Sequence, residues 1–257
     1  MNPLVSIITP MFNNDKVIEE TIASVINQTY SNYELLLIDD SSSDLTLQKV
    51  LPFVRSNDRI QVFQHTDNKG AAEARNLGTK MAKGKYIAFL DADDLWVENK
   101  LELQVNILEA GVCDVCFGSY GLIDGNSQPL NKEVVALDSL SYDKLIKANY
   151  IGNLTGIYNC ETLGKIYTKD LKKRQDWLLW ITALKRSKTS AIGIKKIIAF
   201  YRISDGSLSS NKFNLIMHNY NLYRVGLGFT FFKSIYHLIV FFFEHLIVKR
   251  SLVKTTN

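Results

Sequence analysis

Short apolar runs alternate with amphipathic segments along the first part of the chain. The runs are rich in β-branched residues and occupy positions 5–9, 33–38, 60–64 and 86–90. The segments at 16–27, 45–53 and 71–82 repeat apolar residues at helical spacing, and a further helix is predicted at 95–108. Strands that alternate with helices are typical of a mostly parallel sheet covered by helices. The pattern therefore predicts an α/β fold.

Acidic residues follow directly after two of the predicted strands. Asp39 and Asp40 follow the strand at 33–38, and three acids follow the strand at 86–90, at positions 91, 93 and 94. Ligands of open parallel sheets bind beyond the carboxyl ends of the strands, so both clusters are expected to face one cleft. Carboxylates in one place repel one another unless a cation compensates them. Mg²⁺ or Mn²⁺ bridging a diphosphate would do so, because both ions accept carboxylate, phosphate and water oxygens.

Several segments resemble the signatures of family 2 glycosyltransferases, which have the GT-A fold. The three clearest segments are Val5-Ser-Ile-Ile-Thr-Pro-Met-Phe-Asn13, Ile38-Asp-Asp-Ser-Ser-Ser-Asp44 and Phe89-Leu-Asp-Ala-Asp-Asp94. Positions 68–78, 175–178, 201–202 and 207–210 resemble later motifs of the family in the same order. The resemblance implies a GT-A domain over 1–212, with a Rossmann-like sheet flanked by helices, and a C-terminal helical segment over 213–257.

The resemblance also implies an activity, the inverting transfer of one sugar from a nucleotide-diphosphate donor. Phe12 would pack on the base of the donor, with Thr9 and Pro10 shaping the same wall. Asp40 would accept a hydrogen bond from a ring N–H of the base, which favours a UDP-sugar. The structural alternatives are a turn with a buried Phe12 and a helix cap at Asp40, and we expect the serines at 41–43 to cap the following helix.

The remaining donor and metal residues come from the middle and the end of the resemblance. Arg75 would pair with a phosphate or with one of the acids, and a structural salt bridge is its alternative. Asp91 would contact the ribose or support the metal, and Asp93 would bind the metal directly. Asp94 could instead cap the helix at 95–108. Arg202 would close over the diphosphate, its alternative being an ordinary strand and turn.

Asp176 is the predicted general base, which would take the proton of the acceptor hydroxyl. Trp177 and Trp180 would offer aromatic surface to a sugar ring, and the alternative for Asp176 is a helix cap. The chain departs from the family pattern twice. Gln175 stands where relatives commonly have an acid, and Ser204 stands where many have a histidine.

The C-terminal part of the chain is basic and strongly apolar. Residues 1–160 contain 13 basic and 21 acidic residues, whereas residues 161–257 contain 17 and 5. At helical spacing Lys233, His237 and Glu244 form one narrow polar stripe, opposite a wide apolar face. The longest unbroken apolar run, at 238–243, is too short to span a bilayer. The pattern indicates an in-plane membrane helix, and the alternative is a helix packed on the catalytic domain or in a homo-oligomer.

The start of the chain and its cysteine content lead us to expect this activity in the cytosol. The first residues lead straight into a strand, without the basic start of a secretion signal. Three cysteines favour a reducing compartment, and we interpret the Cys113/Cys116 pair as buried thiols. We expect a protein on the cytoplasmic face of a bacterial inner membrane, with a nucleotide-sugar donor and a lipid-linked glycan acceptor of surface polysaccharide synthesis, and no nucleic acid partner.

Other classes of protein fit the sequence less well. A non-catalytic membrane-associated GT-A scaffold would not need Asp40, Asp93 and Asp176 together. The Asp-x-Asp at 91–93 also resembles that of haloacid-dehalogenase-type phosphohydrolases, but their motif lies on the first strand. A dinucleotide oxidoreductase needs a glycine-rich turn after its first strand, which this chain lacks.

Overall fold

The first half of the chain forms a parallel sheet with helices on both faces. The computed structural model describes residues 2–169, 171–203 and 212–255. The parallel strands are β1 (Val5–Met11), β2 (Tyr33–Asp39), β3 (Ile60–Gln64) and β4 (Tyr86–Phe89), in the order β3-β2-β1-β4. The helices between them are α1 (Ile18–Ile26), α2 (Thr46–Ser56) and α3 (Ala71–Met81). The predicted α/β architecture is confirmed.

The second half of the chain extends this sheet with mostly antiparallel pairs. The further strands and helices are β5 (Leu95–Trp96), α4 (Lys100–Glu109), β6 (Val115–Ile123), β7 (Pro129–Val134), β8 (Ser139–Leu140), α5 (Tyr142–Leu145), β9 (Ile157–Asn159), α6 (Cys160–Leu163), α7 (Gln175–Arg186) and β10 (Ala191–Arg202). β9 joins β4 to β6, and β10 pairs with β5, β6 and β8. The helix predicted at 95–108 is wrong at its start, because Leu95 and Trp96 pair with β10.

Apolar side chains are buried on both faces of the sheet, because neighbouring residues of a strand point to opposite faces. Ile7 of β1 packs in the layer that contains α1, α2 and α4, whereas Ile8 packs in the layer that contains α3 and α7. Trp177 and Trp180 of α7 are fully buried in the second layer. Cys113 and Cys116 are both buried, and burial raises the pKa of the Cys116 thiol to about 12.

The C-terminal segment is docked along the domain. It comprises α8 (Lys212–Asn221), a π-helical turn at Leu222–Gly226, α9 (Phe231–Phe243), a second π-helical turn at Glu244–Val248, a 3₁₀ turn at Lys249–Leu252 and β11 (Val253–Thr255). β11 pairs with β7 and so joins the sheet. Phe241 packs on Trp177 with ring centroids 5.6 Å apart, and the buried Glu244 accepts from Tyr150 and pairs with Lys144.

Of the predicted polar stripe, Glu244 faces the domain and Lys233 is exposed, and most of the apolar face is exposed as well. His237 stacks on Tyr223, whereas the exposed apolar residues are Phe231, Phe232, Ile235, Tyr236, Ile239, Phe243, Leu246 and Ile247. By length and composition alone, the continuous helix Phe231–Leu252 could cross a membrane. The C-terminal end of this helix is nevertheless tied to the domain, through Glu244 and through β11.

Candidate active site

Two adjoining cavities lie at the carboxyl ends of β1, β2 and β4. The smaller cavity, of about 280 Å³, is lined by Pro10, Met11, Phe12, Asn14, Asp40, Ala71, Arg75, Asp91, Ala92, Asp93 and Tyr201. The larger cavity, of about 470 Å³, is lined in part by Tyr120, Asn149, Tyr150, Asn153, Arg174, Asp176 and Lys249. Arg75, Asp91 and Tyr201 line both cavities and form their common wall. Because Asp40 and Asp93 line the smaller cavity together, the expectation that both acidic clusters face one cleft is confirmed.

Asp40 holds the start of α3 at the floor of the smaller cavity. Its carboxylate accepts hydrogen bonds from the backbone N–H groups of Lys69 (2.9 Å) and Gly70 (2.7 Å), and its Oδ1 lies 2.7 Å from Nδ1 of His65. Burial raises the pKa of Asp40, but these three donors outweigh burial and the pKa is lowered. Gly70 has φ of 87°, a conformation that favours glycine. Asp40 is therefore an ionised carboxylate that fixes the loop before α3.

The first backbone N–H of α2 is bound by an acid rather than by a serine, and the N-cap residue Leu45 has no side-chain cap. Oδ1 of Asp44 accepts the backbone N–H of Thr46 at 2.9 Å, close to the start of the helix. Ser42 instead accepts the backbone N–H of Asn13 through its hydroxyl at 3.1 Å. The expected capping by the serines is therefore wrong, because Ser42 is used to join the loop after β2 to the loop after β1.

Arg75 and Asp91 form a largely buried ion pair in the common wall. The Nη2–Oδ1 distance is 2.5 Å, and Asn153 donates to the same carboxylate oxygen from 3.3 Å. Burial lowers the pKa of Arg75, but Asp91 first, and then Asp176 and Asp93, more than offset this effect. The Nε atom of Arg75 is buried without a hydrogen-bond partner among the described residues. We expected Arg75 to pair with a phosphate or with an acid, and in the structure it pairs with the acid Asp91.

Asp93 and Asp94 have different surroundings although they are adjacent. Burial first, and then neighbouring acids, raises the pKa of both carboxyl groups. Asp94 is buried and accepts the backbone N–H of Arg202 at 3.0 Å, so it holds β10 and does not cap a helix as expected. Asp93 faces the smaller cavity, and within the described part of the chain no other residue donates a hydrogen bond to its carboxylate. Among the described residues, both carboxylate oxygens of Asp93 thus remain available to a ligand in the smaller cavity.

The donor set around Asp93 fits a divalent ion that is shared with a substrate. No group of three or more His, Cys, Asp or Glu side chains converges among residues 2–169, 171–203 and 212–255. An ion in the smaller cavity would therefore take one or two carboxylates, from Asp93 and Asp91, and would complete its shell with phosphate and water oxygens. That mode of binding is common for Mg²⁺.

Arg202 does not line either cavity. Its side chain is buried, its Nε donates to the carbonyl of Asp93 (2.7 Å), and its terminal nitrogens donate to Ser127 (2.8 Å) and Glu20 (2.9 Å). The expected closure of this guanidinium over a diphosphate is not what the structure shows, because its donors are used to position the loop that carries Asp93. Thr9 is also buried outside both cavities, whereas Pro10 and the half-exposed Phe12 line the smaller one.

Asp176 lies in the first turn of α7 and lines the larger cavity. Its Oδ2 accepts a hydrogen bond from Nδ2 of Asn149 at 2.8 Å, and the positive end of a helix dipole is a favourable place for a carboxylate. The residue before the helix, Arg174, has a backbone φ of 71°, which is unusual for a residue other than glycine. The residue that we predict to be the base is therefore held in place on the wall of the larger cavity.

The aromatic surface of the larger cavity comes from tyrosines. Trp177 and Trp180 point into the core, so the expectation that they offer a surface to a sugar is wrong. Tyr120 and Tyr201 line the cavity and pack edge to face with centroids 6.3 Å apart. Burial first, and then Asp94, Asp93, Asp91 and Asp176, raises the pKa of Tyr201.

Several lining residues were missed by reasoning from sequence. Asn149, Asn153 and Tyr120 carry no local motif, and the fold brings them to the site from distant parts of the chain. The Tyr201-Arg202 motif indicates the right segment, but the tyrosine, rather than the arginine, is the residue that reaches both cavities. Ser204 and the motif at 207–210 lie outside the described residues.

Comparison with known proteins identifies the family. The model of "Glycosyl transferase family 2" matches residues 6–171. The chain belongs to this family. It is 41% identical over 219 residues to an Escherichia coli protein named UDP-Glc:alpha-D-GlcNAc-diphosphoundecaprenol beta-1,3-glucosyltransferase WfgD, and the match covers 85% of each chain.

Solved structures share the fold. The crystal structure of S. aureus TarS 1-349 in complex with UDP-GlcNAc superposes with a TM-score of 0.73 at 22% identity, over 96% of this chain and 74% of that chain. The mannosyltransferase PcManGT from Pyrobaculum calidifontis, in complex with GDP-Man and Mn²⁺, superposes with a TM-score of 0.69 at 17% identity, over 98% and 72%. These likenesses confirm the GT-A fold of this family 2 glycosyltransferase.

Proposed function

We propose that this family 2 glycosyltransferase transfers one sugar from a UDP-sugar, with inversion, to a lipid-linked glycan. One observation carries the proposal. Asp93 and Asp176 line two cavities that meet at a common wall of Arg75, Asp91 and Tyr201. A donor in the smaller cavity and an acceptor in the larger cavity would bring the two reactants together at this wall, which is what a direct transfer requires.

The smaller cavity would hold the nucleotide. Phe12 is half-exposed and, with Pro10, provides an apolar surface for the base. Asp40 keeps its negative charge beside that surface, and the free lone pairs of its Oδ2 would accept the ring N–H of uracil. The UDP-glucose named for the Escherichia coli relative supports this choice of donor.

The diphosphate would lie between the base and the common wall. Asp93, with Asp91 in support, would hold a divalent Mn²⁺ or Mg²⁺ ion there, and the ion would stabilise the charge on the departing diphosphate. Arg75 would contribute a positive charge beside the sugar, while its ion pair keeps Asp91 in position. Arg202 acts through Asp93, since it fixes the backbone of the loop that carries this acid.

Asp176 would remove the proton of the acceptor hydroxyl as that oxygen attacks the anomeric carbon. The attack comes from the larger cavity, on the face of the sugar opposite the leaving diphosphate, so the configuration inverts. Asn149 holds one carboxylate oxygen of Asp176 and leaves the other for the hydroxyl group. A correctly placed general base contributes about 10²–10⁴-fold to a rate.

The acceptor would reach the larger cavity from the cytoplasmic face of a bacterial inner membrane, during the synthesis of a surface polysaccharide. Residues 1–212 would form the catalytic GT-A domain, and residues 213–257 would lie in the membrane surface. The exposed apolar face of α9 and the basic charge of this half of the chain support the placement. A dimer that covers the same apolar face is the competing arrangement.

Thermal stabilisation tests this donor, because a bound ligand stabilises a protein in proportion to its affinity and concentration. The protein is heated with UDP-glucose, UDP-GlcNAc or GDP-mannose, with Mn²⁺ or with a chelator. We expect a UDP-sugar to raise the midpoint with Mn²⁺ and to lose most of this effect with the chelator. Stabilisation by none of the three would contradict the proposal, and stabilisation without slow hydrolysis of any donor would favour a non-catalytic scaffold.

A further inference from the structure

Two cations line the larger cavity on the same side as Asp176. Arg174 immediately precedes α7, and Lys249 belongs to the 3₁₀ turn between α9 and β11. They are therefore brought together from the catalytic domain and from the C-terminal segment. Because Lys249 lines the cavity, the C-terminal segment forms part of the cavity wall as well as being a candidate membrane anchor.

Neither cation has a full set of partners. Nε of Arg174 donates to Asn219 at 2.9 Å, but its terminal nitrogens have no acceptor in the ranges that the structure describes. The Lys249 ammonium has neither a hydrogen-bond acceptor nor a salt bridge there. Both residues are half-buried, and a partly buried cation without an anion is unfavourable because burial disfavours the charged form.

The pKa shifts agree with this geometry. Burial first, and then the charge of Arg174, lowers the pKa of Lys249 to about 8. Burial also lowers the pKa of Arg174. Asp176 opposes both shifts but does not cancel them, so the pair has room for a further negative charge. The strained backbone of Arg174 is a second indication that this residue has a functional role, since strained backbone conformations cluster at functional sites.

The surroundings of the pair indicate what kind of anion it would bind. Lys249 lies two residues after Ile247, which belongs with Leu246 to the exposed apolar face of the C-terminal segment. A ligand that is anionic at one point and apolar beyond it could place its charge at Lys249 and its chain along this face. The other end of such a ligand would point toward Asp176.

We propose that Arg174 and Lys249 form a binding site for the diphosphate of a prenyl-diphosphate-linked acceptor. This inference rests on the proposed function, because it assigns the acceptor side of the same reaction. Arg174 supplies a planar pair of donors for phosphate oxygens, and Lys249 supplies a point charge. The C-terminal segment thereby selects an acceptor that carries both a lipid chain and a diphosphate.

Farnesyl diphosphate is a suitable probe, since it has both features without any sugar. Its binding to the full chain is measured by calorimetry in the presence of a chelator, so that no ion helps the smaller cavity to bind the probe. Lys249→Gln should weaken binding by about 10–100-fold, as expected for the loss of a hydrogen bond to a charged group, and Arg174→Gln should do the same. Lys249→Arg should bind nearly as tightly as the native protein.

The control is Lys132→Gln, which removes an exposed charge from β7, a strand that borders the cavity. It should leave the affinity within about twofold, because the effect of an exposed charge is screened by salt. Unchanged affinity in Lys249→Gln, or an equal loss in Lys132→Gln, would overturn the assignment. Arg174→Gln also breaks the hydrogen bond to Asn219. If this variant does not fold, the Lys249 variants alone test the assignment.

A bilayer headgroup has the same phosphate chemistry, and vesicles separate the two sources. Lys249→Gln should bind phosphatidylglycerol vesicles as the native protein does. A loss of vesicle binding without a loss of farnesyl diphosphate binding would show that the pair serves the headgroups and would overturn the proposal. The UDP-sugar stabilisation of Lys249→Gln should remain native. Absent UDP binding in the native protein would contradict the donor proposal alone, because the calorimetry does not depend on it.

Discussion

Asp93 and Asp91 lie two residues apart, but within the described ranges other residues donate hydrogen bonds to the carboxylate of Asp91 and not to that of Asp93. Asp91 is held by Arg75 and Asn153, whereas Asp93 faces the cavity with a raised pKa. A carboxyl group whose pKa is raised in the folded protein is destabilising when it is ionised. Asp93→Asn should therefore raise the unfolding midpoint of the ligand-free protein at pH 7.

The same substitution should remove most of the metal-dependent binding of the donor. Mutation of a residue that only supports a metal ligand typically weakens metal binding by about 10–100-fold. The loss of a direct ligand should weaken UDP binding with Mn²⁺ by at least this factor. Calorimetry with and without Mn²⁺ measures the effect, and Asp138→Asn, which alters an exposed acid, is the control. Native Mn²⁺-dependent affinity in Asp93→Asn would refute the ligand assignment.

Asp176→Asn should separate catalysis from binding. The amide cannot accept the proton of a hydroxyl group, so kcat should fall by about 10²–10⁴-fold, while the KM for the donor should stay within a few-fold. Asn149→Ala removes only the group that orients the carboxylate and should give a smaller loss of kcat. A native rate in Asp176→Asn would mean that another residue is the base.

A close contact between the short turn before β9 and α7 sets the common wall. Gly156 follows the 3₁₀ turn at Asn153–Thr155, and a Cβ atom at Gly156 would lie 2.1 Å from the Trp180 ring. Gly156→Ala should lower the free energy of unfolding by about 1–3 kcal/mol, the usual effect of overpacking. It should also lower activity, because Asn153 contacts Asp91. Denaturant titration compares it with Gly125→Ala, which meets nothing within 4 Å. Equal stability of the two variants would disprove the contact.

The parallel half of the sheet could be predicted because its signals are local. The apolar runs and the acids after them fix β1 to β4 and their carboxyl ends to within a few residues. The antiparallel half depends on pairs that are distant in sequence. Leu95 and Trp96 fit a helical pattern until β10 pairs with them.

The site, like the sheet, was predictable where the signal is local in sequence. Asp40, Asp91, Asp93 and Asp176 line the cavities as their motifs indicate. The direction of the Arg202 side chain was not predictable, because it depends on Glu20 and Ser127, which lie far away in sequence. Lys249 has no motif at all, and only the docking of the C-terminal segment brings it to the cavity.

The distribution of charge and apolar surface over the whole chain suggests one orientation at a membrane. The basic half carries the exposed face of α9, and the same segment lines the larger cavity through Lys249. If the exposed face lies in the bilayer surface, the larger cavity opens close to the lipids. An acceptor that is anchored in the membrane could then enter without leaving it.

Substitution of the apolar face tests this orientation. Phe232, Ile239 and Phe243 are 83%, 65% and 63% exposed and lie on one side of the helix, within about 40° of one another. Burial of such a side chain contributes about 1.5–3 kcal/mol, so replacing all three with serine should weaken binding to phosphatidylglycerol vesicles by at least about 100-fold. The unfolding midpoint should hardly change, because exposed side chains contribute little to stability.

The matched control replaces Leu45, Val112 and Leu130 with serine, which removes three exposed apolar residues from the other half of the chain. This variant should sediment with vesicles like the native protein. Raised salt should weaken vesicle binding of the native protein only by the contribution of its basic residues. If the native protein did not bind vesicles but formed a dimer that the α9 triple variant converted to a monomer, the apolar face would be a contact between two copies. The cavity of Lys249 would then open toward the partner, and a membrane-bound acceptor would have to leave the bilayer to reach Asp176.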